Sequence, residues 1–119
     1  MAYTLVTNNN NLYEIYIGQD NNVILANTAS QLFQNYNKST TLDVSNLDTS
    51  KVTTMSGMFN GSKATILNLS SFNTSLVEDM SDMFYSCSVK TGYARTQTDA
   101  NRFNASSRIP SGLKFVVKS

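Results

Sequence analysis

The 119-residue sequence contains no histidine and no tryptophan, and it has one proline and one cysteine. Without histidine, the commonest general base is missing, and so are the Ser-His and Cys-His nucleophile pairs and most transition-metal sites. A single cysteine, Cys87, excludes an internal disulfide. The sequence also lacks a phosphate-binding loop, a dinucleotide fingerprint and the paired cysteines of a zinc site. We therefore expect a protein that is not an enzyme and that uses no cofactor, metal or small-molecule substrate.

Charge is scarce as well, at 14% of the residues, against about a quarter in ordinary globular domains. Ser, Thr and Asn supply 44 residues, which predicts a surface of hydroxyls and amides. Residues 1–89 carry a net charge of −4 and residues 90–119 a net charge of +5. Because the basic residues are scattered and lack interleaved aromatics, they favour a solvated surface over a nucleic-acid platform.

Long apolar runs are also absent. The N-terminus has no basic and apolar leader, and no stretch approaches the 18 apolar residues of a membrane span. We therefore expect a cytoplasmic or virion-associated chain with no membrane partner, rather than a protein on the cell surface.

What the sequence does contain is a repeat. Leu42 to Phe59 reads LDVSNLDTSKVTTMSGMF, and Leu67 to Phe84 reads LNLSSFNTSLVEDMSDMF, with nine of 18 positions identical at an offset of 25 residues. A fixed period in this range is typical of solenoids, in which each unit buries its apolar side against its neighbours.

Two periodicities alternate inside each repeat. The alternation of Leu67 and Leu69 predicts a strand, whereas Met80, Met83 and Phe84 stand at i, i+3 and i+4 and predict a buried stripe on a helical turn. A polar corner lies between them, and its Thr and Ser side chains are expected to bond the local backbone. The same spacing recurs at Leu42, Val44, Met55, Met58 and Phe59.

Dissimilar segments flank the two repeats. Residues 2–26 alternate as a β-meander does, and Thr28 to Gln31 fits a capping box that would open a short helix ending at Phe33 or Tyr36. Thr91 to Arg95 predicts a third stacked strand. Thr96 to Asp99 fits a second capping box, with a helix to about Asn104 and a last strand at Leu113 to Val117.

We therefore predict a single α/β domain, a small leucine-rich-repeat-like solenoid with parallel strands on one side and helical turns on the other. Its parts are an N-terminal β cap (1–27), a degenerate first repeat (28–41), repeat 1 (42–66), repeat 2 (67–91) and a strand-helix-strand C-terminal cap (92–119).

The paired segments, with Phe84-Tyr85-Ser86-Cys87 after the second, resemble the repeat of BspA-like bacterial surface proteins and of a related family of mycoplasma lipoproteins. The resemblance covers about residues 29–95. The tail from Thr91 to Lys118 resembles a C-terminal unit found in proteins of gut bacteria and their phages. These resemblances imply a solenoid used for adhesion or protein binding, without enzymatic activity.

The candidate binding residues are those on the outward side of the predicted strands. They form two rows, Asp43, Asn68 and Tyr93 in one and Ser45, Ser70 and Arg95 in the next. Tyr and Arg are enriched at binding hot spots. The alternative interpretation of this surface is a plain polar face.

Two other features carry chemistry. Glu78, Asp79 and Asp82 form the only acidic cluster, which we interpret as water-facing acids near a helix N-terminus, with a Ca²⁺ site or a carboxylate-based hydrolase as the alternatives. Cys87 is interpreted as a small buried residue of the solenoid wall.

The sequence thus favours a non-enzymatic protein-binding module of a bacterium or its phage, in a phage accessory, tail-associated or adhesion-type role. One alternative is a small phage-encoded inhibitor of a host defence system, such as an anti-CRISPR protein. A further alternative is a structural protein whose repeats stack end to end or dimerise.

Overall fold

A computed structural model describes residues 23–24, 28–35, 44–45 and 47–118 of the chain. The elements are β1 (Val23–Ile24), β2 (Leu47–Asp48), β3 (Ile66–Leu69), β4 (Thr91–Ala94), α1 (Gln97–Asn104) and β5 (Lys114–Val117). β1 and β2 pair in parallel, and β3, β4 and β5 form a second parallel sheet in that order. The described residues therefore form a small α/β domain with a parallel three-stranded sheet and one helix.

Most of the predicted N-terminal meander lies outside the described residues, as do Leu42 and Asp43. Two residues of its predicted last strand, Val23 and Ile24, form β1, which pairs with Leu47 and Asp48. β2 therefore ends at Asp48, the first residue of the predicted polar corner, and Val44, which was predicted in the strand of repeat 1, lies in no strand.

The three-stranded sheet follows the period of the sequence. In its register Leu67 lies beside Gly92, and Gly92 lies beside Phe115. Leu67 and Gly92 are 25 residues apart. Parallel neighbours need a long crossover connection, and here the rest of one repeat supplies it. Leu67 and Leu69 are buried, and Ile66 and Asn68 are exposed. The predicted strands at Leu67 to Leu69, Thr91 to Arg95 and Leu113 to Val117 are confirmed, with ends shifted by one residue.

Three segments of eight residues take the place of the predicted helical turns. These turn segments are residues 28–35, 54–61 and 79–86, and none of the three contains a helix. In the second, the Met58 N–H donates to the Met55 carbonyl at 3.1 Å, and Gly57 has a φ of 64°. A left-handed residue at the third position of such a turn interrupts a right-handed helix. Positive φ recurs at the matching positions Gln31, Asn35, Gly61, Asp82 and Ser86.

The predicted helix after Thr28 and the helical turns at Met55 to Phe59 and Met80 to Phe84 are therefore wrong. The reason lies in the backbone hydrogen bonds, which run between segments rather than along a helix. Alternate N–H groups of the first turn segment, at residues 29, 31, 33 and 35, donate to carbonyls of the second at 2.7–2.9 Å. The second donates to the third in the same way. Successive segments thereby satisfy backbone groups that a helix would have paired internally.

A column of phenylalanine rings fills the core between the segments. The Phe33, Phe59 and Phe84 rings stack at centroid distances of 5.6 and 6.0 Å, one ring from each turn segment. Phe103 of α1 and Phe115 of β5 close the column, at 5.9 and 4.8 Å from Phe84. All five side chains are buried. The prediction that the stripe with Met58 and Phe84 belongs to the core is confirmed except at Met80, which is half-buried.

The polar corners are linked to one another through buried threonines. The Thr49 hydroxyl accepts the Asn73 N–H at 2.9 Å and donates to the Asn73 carbonyl at 3.0 Å. Thr74, at the matching place one repeat later, donates its hydroxyl to Asp99 of α1 at 2.5 Å. The local bonds at these corners come from the Asp48 and Asn73 side chains, which accept the Ser50 and Ser75 N–H groups. The predicted local role of the threonines is wrong, because Thr49 and Thr74 bond groups 24 and 25 residues away.

Gly92 provides a test of how tightly β5 packs on β4. A Cβ at Gly92 would lie 2.3–2.6 Å from three atoms of the Phe115 ring. We therefore expect Gly92→Ala to lower the free energy of unfolding by about 1–3 kcal/mol, the usual cost of overpacking a core. Gly112→Ala is the matched control because nothing lies within 4 Å of its added Cβ. Equal urea midpoints for the two variants would contradict the close contact of Gly92 with Phe115.

Candidate functional site

The outward side of the three-stranded sheet is the candidate site. Two rows of side chains cross it, each with one residue from β3, one from β4 and one from β5. Neighbouring strands lie about 4.8 Å apart, so each row is a compact set of adjacent side chains. We call these six residues the sheet face: Ile66, Thr91 and Lys114 in one row, and Asn68, Tyr93 and Val116 in the other.

Two of the sequence-predicted binding residues meet on the sheet face. Asn68 and Tyr93 are register partners, Asn68 exposed and Tyr93 half-buried. Ser70 is exposed just after β3, and its N–H donates to the Asn68 amide oxygen at 3.0 Å. Ser45 is exposed but lies in no described strand, and Asp43 lies outside the described residues. The structure therefore brings together one predicted pair and not the complete rows.

Arg95, the sixth predicted residue, follows β4 and is held at the corner of the fold. Its Nε donates to the Asp99 carboxylate at 3.0 Å, and the guanidinium also reaches the Asn73 amide oxygen at 3.4 Å. These bonds tie Arg95 to the first turn of α1, next to the N-cap Thr96. Arg95 therefore organises the corner beside the sheet face.

The sequence analysis missed the contribution of β5. Lys114 and Val116 complete the two rows, and Val116 is 43% exposed. Ile66 of β3, also missed, is 54% exposed. The alternation of Lys114 and Val116 around a buried Phe115 could have indicated their outward direction, but the pairing of β5 with β4 is a tertiary contact.

A lysine after β5 also reaches the sheet face. The Lys118 ammonium lies 5.2 Å from the centroid of the Tyr93 ring. At this distance a cation is attracted to the electron-rich face of the ring. Tyr93 is therefore held on one side by Lys118 and lies between Asn68 and Val116.

The acidic cluster has a different environment from the predicted one. Asp79 and Asp82 belong to the third turn segment and Glu78 directly precedes it. No helix exists there, so the assignment to a helix N-terminus is wrong. The Ser81 N–H donates to Asp79 at 2.8 Å and lowers the pKa of that carboxyl. Arg108 donates two hydrogen bonds to Asp82 and lowers its pKa. A general acid needs the opposite shift.

Cys87 is half-buried, and its thiol donates to the Phe59 carbonyl at 2.9 Å. Burial raises the pKa of this thiol to about 11, so it stays protonated and weakly nucleophilic near neutral pH. In the described part of the chain, no three His, Cys, Asp or Glu side chains are grouped closely enough to hold a metal ion.

The fold and the sheet face define a class of protein: a small parallel-sheet domain with a sequence repeat, whose exposed face combines aliphatic, polar and basic side chains. The chain belongs to the family described as "Mycoplasma protein of unknown function, DUF285", which it matches over residues 7–108. The mycoplasma part of the sequence resemblance is thereby confirmed at the level of the family, and the BspA-like part stays a prediction. No curated protein and no solved structure matches the chain. No helix within the described ranges has the length and apolarity to cross a membrane.

Proposed function

We propose that this protein is a non-enzymatic protein-binding module of a bacterium or its phage, built as a small capped solenoid that engages its partner through the sheet face. The solenoid interpretation is supported by the spacing of the contacts. Strand partners Ile66 and Thr91 are 25 residues apart, and so are the bridged residues Thr54 and Asp79. Each repeat of the sequence then corresponds to one coil stacked on the next.

The C-terminal cap interpretation is supported by how the outer edge of β5 is covered. The Asn104 side chain donates to the Phe115 carbonyl at 3.0 Å and accepts the Phe115 N–H at 2.8 Å. One amide thus occupies both backbone groups of Phe115, which a further strand would otherwise use. Covering an edge in this way is a known protection against strand addition. The covered edge favours a protein that binds its partner through the sheet face over one that assembles end to end by adding a strand at β5.

The observation that carries the binding proposal is the pair of exposed aliphatic side chains on the sheet face. Ile66 and Val116 are 54% and 43% exposed, on the two strands that flank β4. Tyr93 lies between these strands, and Tyr is a residue type enriched at interface hot spots. Exposed apolar groups that share one side of a sheet, on a surface rich in hydroxyls, favour a contact region for another protein.

The test compares a face variant with a matched control. Ile66→Ser combined with Val116→Ser removes both exposed aliphatics, and Leu76→Ser removes another aliphatic that is 54% exposed but lies outside the strands. Each tagged protein is used to capture partners from the source bacterium, and affinity for the captured protein is then measured. We expect the double variant to bind at least about tenfold more weakly, as for a hot-spot loss, and Leu76→Ser to bind as the parent does.

Two results would contradict the proposal. One is a parent protein that captures nothing beyond a tag-only control. The other is a double variant with unchanged melting temperature and unchanged affinity, which would place binding elsewhere on the surface. The cytoplasmic or virion-associated location stays a prediction.

A further inference from the structure

The arginines and lysines near the C-terminus differ in whether they bond carboxylate or carbonyl groups of the protein itself. Arg95 bonds Asp99, and Arg108 bonds Asp82 at 2.6 Å. Arg102 donates to the Thr74 and Val77 carbonyls. Arg102 and Arg108 therefore hold the C-terminal unit on the preceding repeat, and Arg95 also contacts that repeat through the Asn73 amide oxygen.

Lys114 and Lys118 have no such partner. Neither forms a salt bridge with any carboxylate of the described residues, and both are exposed. Lys114 belongs to the sheet face, and the Lys118 ammonium lies over the Tyr93 ring of that face. Two ammonium groups are thus presented on the same side of the sheet as Ile66 and Val116.

This side of the sheet has no acid to balance them. None of the residues of β3, β4 and β5 is Asp or Glu. The carboxylates of the described ranges belong to β2, to α1, and to the third turn segment with the residue before it, at Asp48, Asp99, Asp79, Asp82 and Glu78. The sheet face therefore combines two exposed aliphatic side chains with two nearby ammonium groups and no acid in its strands, although the whole chain is nearly neutral.

The arrangement fits a protein partner better than a nucleic acid. A single-stranded nucleic acid needs open aromatic faces for its bases and a tract of cations for its backbone. Here the Tyr93 ring is half-buried and approached by Lys118, and the most exposed apolar side chains are aliphatic. Aliphatic groups beside two ammonium groups suit peptide side chains of the apolar and acidic types.

We propose that the sheet face binds an acidic segment of a partner protein, an inference that depends on the binding role proposed above. Apolar side chains of the segment would lie on Ile66 and Val116. Its Asp or Glu carboxylates would pair with Lys114 and Lys118. The apolar contacts then supply most of the affinity, and the lysines supply selectivity and a faster encounter that depends on salt.

The experiment uses charge reversal with a matched control. Lys114→Glu combined with Lys118→Glu changes the net charge by the same amount as Lys51→Glu combined with Lys63→Glu, whose lysines are exposed and lie outside the strands. The probes are a labelled peptide of alternating Glu and Leu, the corresponding Lys and Leu peptide, and a single-stranded oligonucleotide. Binding is followed by fluorescence anisotropy at about 50 and 300 mM salt, across which exposed charges become largely screened.

We expect the Glu and Leu peptide to bind the parent protein and the Lys51/Lys63 variant alike. The Lys114/Lys118 variant should bind it at least about tenfold more weakly at the lower salt, with a smaller difference at the higher salt. No binding of this peptide to the parent protein would overturn the inference. So would equal weakening in both variants, or lysine-dependent binding that is tighter for the oligonucleotide.

The same variants separate this inference from the proposed function. A captured partner that is lost with the Ile66/Val116 variant and retained with the Lys114/Lys118 variant would leave the binding role standing and overturn the acidic segment. A partner lost with both, and retained with the Lys51/Lys63 variant, would support both.

Discussion

Replacing Phe84 with alanine is expected to lower the free energy of unfolding by about 3–5 kcal/mol, the range for deleting a large buried aromatic. Phe84 is completely buried and contacts rings from three other parts of the chain, at 6.0 Å from Phe59, 5.9 Å from Phe103 and 4.8 Å from Phe115. The deletion would leave a cavity at the point where the turn segments meet α1 and β5. Urea denaturation followed by circular dichroism measures the change.

Tyr85 provides the control because it is the next residue and is exposed, with the Arg108 guanidinium 3.9 Å from its ring. Tyr85→Ala should cost less than about 1 kcal/mol, as expected for an exposed cation–π contact. Met58→Ala, at a completely buried position in the second turn segment, should cost about 2–5 kcal/mol. A neutral Phe84→Ala would mean that the aromatic column is not the core.

The second large effect is expected at Asp99, where α1 is joined to the preceding repeat. The carboxylate is 2% exposed and accepts hydrogen bonds from the Thr74 N–H and hydroxyl, the Thr96 hydroxyl and Arg95. Burial by itself would raise the pKa of Asp99, but the hydrogen bonds from Thr74, Thr96 and Arg95 prevail and lower it to about 2 from the ordinary value of 3.8. The charged form is therefore the stable one in the folded protein.

Because of this shift, the free energy of unfolding decreases as the pH falls. The pKa of Asp99 is lower in the folded chain than in the unfolded chain, so its contribution is complete above about pH 4. The contribution is lost as the pH falls through about 2, and a shift of nearly two units corresponds to about 2–3 kcal/mol. Urea denaturation of the parent protein at pH values from about 6 to 2 should show the loss.

Asp99→Asn should remove the Asp99 contribution to this dependence and cost about 2–3 kcal/mol at neutral pH, because an amide cannot pair with Arg95 and satisfies the Thr hydroxyls less well. Asp48→Asn is the control, since Asp48 accepts one N–H from Ser50 but lies outside this network. If the Asp99→Asn and parent curves ran parallel from pH 6 to 2, the carboxylate would not be the titrating group.

The C-terminal unit could be predicted from the sequence because its signals are local. Thr96 and Asp99 specify a helix N-terminus through bonds between neighbours, and the Thr96 hydroxyl does accept the Asp99 N–H at 3.1 Å. The alternation around Phe115 likewise specifies a strand with one buried side chain. These local signals do not indicate which distant residues the C-terminal unit packs against. Asp99 also bonds Thr74, 25 residues earlier, and no local rule indicates that.

The turn segments show why the other prediction was wrong. Met55, Met58 and Phe59 are all buried, as the helical spacing required. The tight turns here bury positions i, i+3 and i+4 as a helix would, so the apolar spacing could not distinguish the two structures. The residues that indicated turns were Gly57 and Gly61. Their φ values are 64° and 77°, which glycine adopts without strain.

The sequence by itself determined the repeat period, the apolar positions of the core and the local form of α1, β3, β4 and β5, since each depends on side chains close together along the chain. Only the tertiary structure decided that the turn segments pair through hydrogen bonds between repeats, and that β5 lies beside β4 and brings Lys114 and Val116 next to Thr91 and Tyr93. The physical reason is that backbone N–H and C=O groups are the same in every residue. Which of them pair across 25 positions is therefore settled by how whole repeats pack.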